Sequence, residues 1–325
     1  MIQVTNDTHD FFEKHNEEIL IYGAGNAGYW IGHYMNRCGL DYSGYIDKKL
    51  DHEDVTYNDK PVYTPDKLKE YRGRSLRIIV SPHNYENVLA DLLWMEHLYE
   101  FNALCLVPRY KHISTKEEGY HINKLLSYFR RKLFKGEVPT VISNNCAAGF
   151  IYDLMDMIMI SPTINTGIVP DDFIKLCQNP EYYLNKDMDN ELYFIRPYGN
   201  PQLDDDVPAG KIKDITVQFG HVDSTEGLVD RWNMMRKRVN WNRIIYVYCT
   251  HDVYVPFSVA NEKAFMSLPR EHLLIVMRNA AFWDNSFTGN GFNKVFMQQN
   301  YLASPDSAIE NYFDLLGWIN GEGLN

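Results

Sequence analysis

The chain has 325 residues, 45% hydrophobic and 23% charged, which supplies enough apolar material for two cores and excludes a disordered chain. Lys and Arg number 32 against 43 Asp and Glu, and the net charge of −11 argues against a nucleic-acid partner. Five scattered cysteines without a C-x-x-C pair exclude a disulfide framework and a structural zinc site, and with no signal-peptide core and no run of 18 apolar residues a cytoplasmic protein without a transmembrane segment is expected.

Residues 18–22, an apolar run, read as the first clear strand. Gly23-Ala24-Gly25-Asn26-Ala27-Gly28 follows at once, and residues 29–35 continue as a helix. This is G-x-G-x-x-G in its required context of strand before and helix after. Gly23 permits the tight turn, Gly25 lets a phosphate approach the backbone, and Gly28 lets the helix pack closely on the strand. Asn26 opens a helix whose unpaired N–H groups and positive dipole end suit a phosphate. Asp47 closes the next strand, 42–47, where a carboxylate can hold ribose hydroxyls. Helical text at 65–71, a strand at 76–80, a helix at 85–98 and a strand near 103–107 complete an alternating pattern, which predicts a parallel sheet with helices on its faces.

Residues 109–119 read as a polar connection. A periodic helix is expected over 121–134, ended by Gly136. Ile122, Leu125 and Phe129 on its apolar side pack between the domains; the rival is contact of its basic side (Lys124, Arg130, Arg131, Lys132 and Lys135) with anionic lipid, a peripheral membrane contact. A second α/β pattern restarts at 138–143, with strands at 212–219, 244–249 and 273–277 and helices at 171–177, 224–239, 258–268 and 307–319. Residues 179–210 read as irregular surface.

The polar clusters of this half admit two readings each. Ser143-Asn144-Asn145-Cys146 follows a strand, where paired amides suit sugar hydroxyls or phosphate; alternatively it is an Asx-rich turn capping the next helix. Cys146 reads as a structural cysteine ahead of a nucleophile. Ser161, Thr163 and Asn165 are presented on a loop stiffened by Pro162, or are ordinary turn residues. Arg231, Arg236 and Arg238 are guanidinium groups that grip phosphate, or a solvated face paired with Glu226 and Asp230. His221 follows a strand, and because an imidazole ordinarily titrates near neutral pH it is the candidate general base, ranked above His251. Asp204-Asp205-Asp206 reads as a solvated loop ahead of a metal site.

In order, Ser143-Asn144-Asn145-Cys146, Tyr152, Ser161-Pro162-Thr163-x-Asn165, Asp172-Phe173, Tyr182-Tyr183, Pro197-x-Gly199, Phe219-x-His221 and Trp232-x-x-x-Arg236-x-Arg238-x-Asn240 resemble the bacterial DUF1919 proteins, over about residues 135–325. That family usually has Trp-Gly-Gly after the Asn-Cys pair, where this chain has Ala147-Ala148-Gly149, and an aromatic residue after the histidine, where it has Val222. The resemblance implies an α/β fold and a place in exopolysaccharide or capsular polysaccharide biosynthesis. It supplies no reaction.

The expected architecture is α/β: two Rossmann-like three-layer α/β/α domains with mostly parallel sheets. The expected divisions are a nucleotide-binding domain at 1–118, a connecting helix at 119–136 and a DUF1919-like domain at 137–325. The leading function is a transferase-like protein of surface-polysaccharide assembly that binds a nucleotide-sugar or another phosphorylated sugar or glycan. Gly23, Gly25, Asn26, Gly28 and Asp47 would hold the nucleotide or nucleotide-sugar, ahead of NAD. Asn144, Asn145, Ser161, Thr163, Asn165, Arg231, Arg236 and Arg238 would hold the substrate, with His221 catalytic and no metal. The rivals are an NAD(P)-dependent nucleotide-sugar oxidoreductase or epimerase and a non-catalytic nucleotide-sensing scaffold.

Overall fold

The structure is a computed structural model and describes residues 1–13, 16–49, 55–114, 119–196, 206–220, 222, 224–250, 257–277, 293–297 and 309–322. It is a mixed α/β fold with mostly parallel sheets. The chain divides into two compact units: Met1–Phe134, Leu154–Asp156 and Ala303–Asn311 form the first, and Lys135–Asp153, Met157–Leu302 and Tyr312–Asn325 the second.

The first unit contains β1 (Ile2–Thr5), α1 (Thr8–Phe12), β2 (Ile19–Tyr22), α2 (Asn26–Arg37), β3 (Gly44–Ile46), β4 (Thr56–Tyr57), β5 (Lys60–Tyr63), a 3₁₀ helix (Pro65–Tyr71), β6 (Ser75–Val80), α3 (Tyr85–Tyr99), β7 (Asn102–Leu106), β8 (Tyr110–Ser114), β9 (Gly119–Asn123) and α4 (Lys124–Leu133). Seven strands form one sheet in the order β1-β7-β6-β2-β3-β5-β4, parallel except where β4 meets β5. The central strands read as unbroken apolar runs because side chains on both faces are buried: Leu20, Ile21, Ile46, Ile78 and Ile79 are all fully enclosed. From β2 the chain builds outward through β3 and β5, then crosses to the other side of β2 for β6 and β7. Strand order therefore reverses between β2 and β6, the position at whose carboxyl ends sheets of this kind bind ligands.

Three expectations change here. Part of the polar connection at 109–119 is a β-hairpin, β8 with β9. The helix expected from residue 121 starts at Lys124, because the Asn123 side chain caps it by accepting from the N–H groups of Leu125 (3.0 Å) and Leu126 (3.3 Å). It ends at Leu133, so Gly136, with φ of +86°, lies past the first residue beyond the cap. Arg130 does not join the basic side. It is 2% exposed and pairs with Glu310 (Nε at 2.7 Å, Nη2 at 2.6 Å), while its Nη1 donates to the Leu154 carbonyl at 3.1 Å. The Tyr34 hydroxyl donates to the same Glu310 oxygen. Leu125, Leu126 and Phe129 are buried in this unit, where the Phe129 ring meets that of Phe12.

The second unit contains β10 (Thr140–Ser143), α5 (Ala147–Leu154), β11 (Thr166–Gly167), α6 (Pro170–Gln178), α7 (Pro180–Leu184), β12 (Tyr193–Ile195), β13 (Val207–Ile212), β14 (Ile215–Phe219), α8 (Leu228–Arg236), β15 (Ile244–Cys249), α9 (Val259–Met266), β16 (His272–Met277), β17 (Lys294–Met297) and α10 (Leu315–Ile319). A parallel sheet runs β10-β15-β16-β17, and an antiparallel one runs β11-β14-β13-β12. The run 212–219, read as one strand, is therefore the turn and second arm of a hairpin. The chain reverses at Lys213 and Asp214, with Lys213 at φ +55°. A turn built on Lys-Asp carries none of the Asn-Gly signal that marks a tight hairpin. The surface expected to be irregular at 179–210 includes α7, β12 and the start of β13. One core of Ile142, Phe173, Ile215, Val217, Trp232, Tyr246, Tyr248 and Leu274 gathers residues of both sheets.

Candidate functional site

The glycine loop of the first unit is built as its spacing predicts. Gly23 has φ of +105°, and a methyl group there would lie 2.5 Å from Ser81 Oγ. A methyl group on Gly28 would lie 2.0 Å from the carbonyl oxygen of Gly23, so only glycine lets α2 approach β2 this closely. Around Gly25 nothing lies within 4 Å of where a Cβ would stand. Gly25 is the N-cap of α2 and supplies no side-chain cap, which leaves the helix start open to an anion. Asn26 is its first residue.

Asp47 is drawn to this loop. Its Oδ2 accepts from the Ala24 N–H at 2.8 Å and its Oδ1 from the Lys49 N–H at 2.8 Å. The loop is tied further by the Gly23 N–H donating to the Ile46 carbonyl at 2.7 Å. The five first-unit candidates thus come together at the carboxyl ends of β2 and β3. The residue missed is Ser81, at the end of β6: its Oγ lies 3.1 Å from the Tyr22 carbonyl oxygen and 3.0 Å from that of Gly23. The Ser-Pro pair directly after an apolar strand was the available signal. Tyr22 is buried at the end of β2, and burial, followed by the charges of Asp91 and Asp47, pushes its phenol above the usual tyrosine range.

In the second unit the loops after β10 and before β11 also meet, through a buried polar knot. The Ser143 N–H donates to Thr163 Oγ1 at 3.0 Å, and Thr163 Oγ1 lies 3.0 Å from Ser161 Oγ. Asn144 grips the end of β15 at two points: Nδ2 donates to the Cys249 carbonyl at 3.0 Å and Oδ1 accepts the Cys249 N–H at 2.8 Å. Asn145 Nδ2 donates to the same carbonyl at 3.1 Å, and its Oδ1 accepts the Ala147 N–H at 3.1 Å, capping α5. Ser143 Oγ accepts from the Ala148 N–H at 3.0 Å. Ser143, Asn144, Ser161 and Thr163 are fully buried, and Asn145 nearly so. Thr166, which closes the loop through the Thr163 carbonyl at 2.9 Å, and the main chain of Cys249 were not foreseen.

The arginines separate. Arg231 Nη2 donates to the Ile164 carbonyl at 2.9 Å and so joins the 161–165 loop. Arg236 turns to the Asp187 carboxylate and to the Leu184 carbonyl. Arg238, two residues past the end of α8, is exposed and reaches back to the Met234 sulfur at 4.0 Å. The main-chain carbonyl of Asn165, at φ +56°, accepts from the N–H of Gly220, the residue before His221, at 3.1 Å. His221, His251, Asp204 and Asp205 lie outside the described residues. Cys146 is half-buried, outside any disulfide, and directly before α5. Among the described residues no cluster of His, Cys, Asp and Glu could hold a metal ion, and no helix is long and apolar enough to cross a membrane.

Residues 118–320 match a domain of unknown function, DUF1919. The chain belongs to the DUF1919 family. An uncharacterized protein of Haemophilus influenzae is 25% identical to it over 207 residues, which is 64% of this chain and 87% of that protein. The DUF1919 region holds the polar knot, the 161–165 loop and the three arginines. The glycine loop and Asp47 lie outside it.

Proposed function

We propose that this DUF1919 protein binds a nucleotide or nucleotide-sugar in its first unit, a Rossmann-type module, and acts as a transferase-like component of surface-polysaccharide assembly. The observation that carries the reading is the open helix start at Gly25, framed by a glycine turn and by Asp47 at a point where strand order reverses. Backbone N–H groups there suit a diphosphate, and the carboxylate suits a ribose. In the second unit the 161–165 loop, Arg231 and the segment leading to His221 converge, and they are assigned to a phosphorylated sugar, with His221 as general base. The polysaccharide context comes from the family resemblance.

A second reading, a nucleotide-sensing scaffold, is favoured by the polar knot, whose amides and hydroxyls bond one another and the main chain. A thermal-shift panel of nucleotides, NAD and nucleotide-sugars, followed by a turnover assay on those that bind, separates the readings. Binding with transfer supports the transferase, binding alone the scaffold, and NAD reduction with a sugar nucleotide an oxidoreductase. No shift with any of them overturns the nucleotide claim.

A further inference from the structure

Tyr22 ends β2 and immediately precedes the glycine loop. Its side chain is 3% exposed, and its hydroxyl, closed off from solvent, has no hydrogen-bond partner among the described residues. The strand register sets Tyr22 beside Ile46 of β3 and Val80 of β6, the residues that lead into Asp47 and Ser81. A buried hydroxyl without a partner is unfavourable, and phenylalanine would fill the same space without that cost. Burial, and after it the charges of Asp91 and Asp47, keep the phenol protonated. The loop thus holds a donor with nothing to donate to, near a carboxylate that only accepts.

A vicinal diol matches that pair, since each of its hydroxyls both donates and accepts. Resting on the nucleotide reading above, we propose that Tyr22 and Asp47 together grip the 2′- and 3′-hydroxyls of a ribonucleotide, Asp47 accepting and Tyr22 donating. Lys48, next to Asp47, reaches Asp91 of α3 in an ion pair whose partners are 47% and 34% exposed. A partly exposed pair of this kind holds weakly, and the proposal requires this region to give way so that the ribose reaches the hydroxyl.

The test uses the full chain and Tyr22→Phe, with ADP, GDP and UDP and their 2′-deoxy counterparts as probes, read by calorimetry and by melting temperature. Without ligand, Tyr22→Phe should melt at or above the wild-type temperature. The wild type should bind its preferred ribonucleoside diphosphate about tenfold more tightly than the deoxy form, and Tyr22→Phe should lose most of that preference. An unchanged preference in Tyr22→Phe overturns the Tyr22 assignment and leaves the nucleotide reading standing. A clear drop in the unliganded melting temperature also overturns it, because the hydroxyl would then have a structural partner. If none of the diphosphates binds the wild type, both readings fall.

Discussion

The turn from β2 into α2 and the turn from β10 into α5 share one plan: a buried parallel strand, a short loop and a helix. They differ in what occupies the loop. After β2, glycines leave the helix start without a side-chain cap, and Gly25 stands exposed with open space beside it. After β10, Asn145 caps the helix, Ser143 takes a second helical N–H, and Asn144 bolts the loop to β15. The first turn spends the Gly23 and Ala24 N–H groups on Ile46 and Asp47 and leaves its helix start without a side-chain cap. The second spends its polar groups on the frame, as buried groups must in a low-dielectric interior. A polar loop at a strand end is therefore a site only to the extent that its hydrogen bonds are unspent.

The strongest test of this contrast is Asn144→Ala. It removes a two-point bridge and strands the buried N–H of Cys249, and should cost about 3 kcal/mol in denaturant unfolding. A loss under about 1 kcal/mol would show that the β10 loop is not the rigid frame inferred here. Next comes Gly28→Ala, whose methyl group would collide with the Gly23 carbonyl. We expect a loss of roughly 2 kcal/mol and a lower melting temperature even without ligand. Asp47→Ala should cost about 1 kcal/mol by releasing the Ala24 N–H, and should weaken nucleotide binding in calorimetry by more than that stability loss alone implies. The smallest stability effect belongs to Gly25→Val, at under about 1 kcal/mol, because the space is open and the backbone ordinary. It should nevertheless abolish the nucleotide-induced melting shift. If Gly25→Val binds nucleotide as the wild type does, the open turn is not the phosphate site.

Within the first unit, Arg130 and Glu310 make a different kind of demand on the fold. Both are almost fully buried and 180 residues apart in sequence. Removing one partner of such a pair leaves an unpaired buried charge, which costs about 3–5 kcal/mol, whereas replacing both with apolar residues is far milder. Sequence patterning placed Arg130 on the basic side of the helix with Lys124, Arg131, Lys132 and Lys135. The partner that draws it inward belongs to a segment no local pattern connects to it.

Much of the glycine loop was legible beforehand because its requirements are local. Positive φ at Gly23, close approach at Gly28 and an open Gly25 follow from sterics within a few residues, so spacing alone specified them. Most long periodic elements, such as 85–98 and 244–249, were legible for the same reason. The hairpin at 207–219 was not, because its turn lacks glycine and asparagine. The fate of the amides was not legible either. Ser143, Asn144, Asn145 and Thr163 have the composition of a sugar site and of a helix cap alike, and composition does not choose between them. That choice was made by β15 pairing with β10, which delivers the Cys249 main chain to the Asn144 side chain across 105 residues of sequence. Local conformation is set by neighbouring atoms along the chain and is written in the sequence. The partner of a buried polar group is set by which strand folds beside it, and only the tertiary structure decides that.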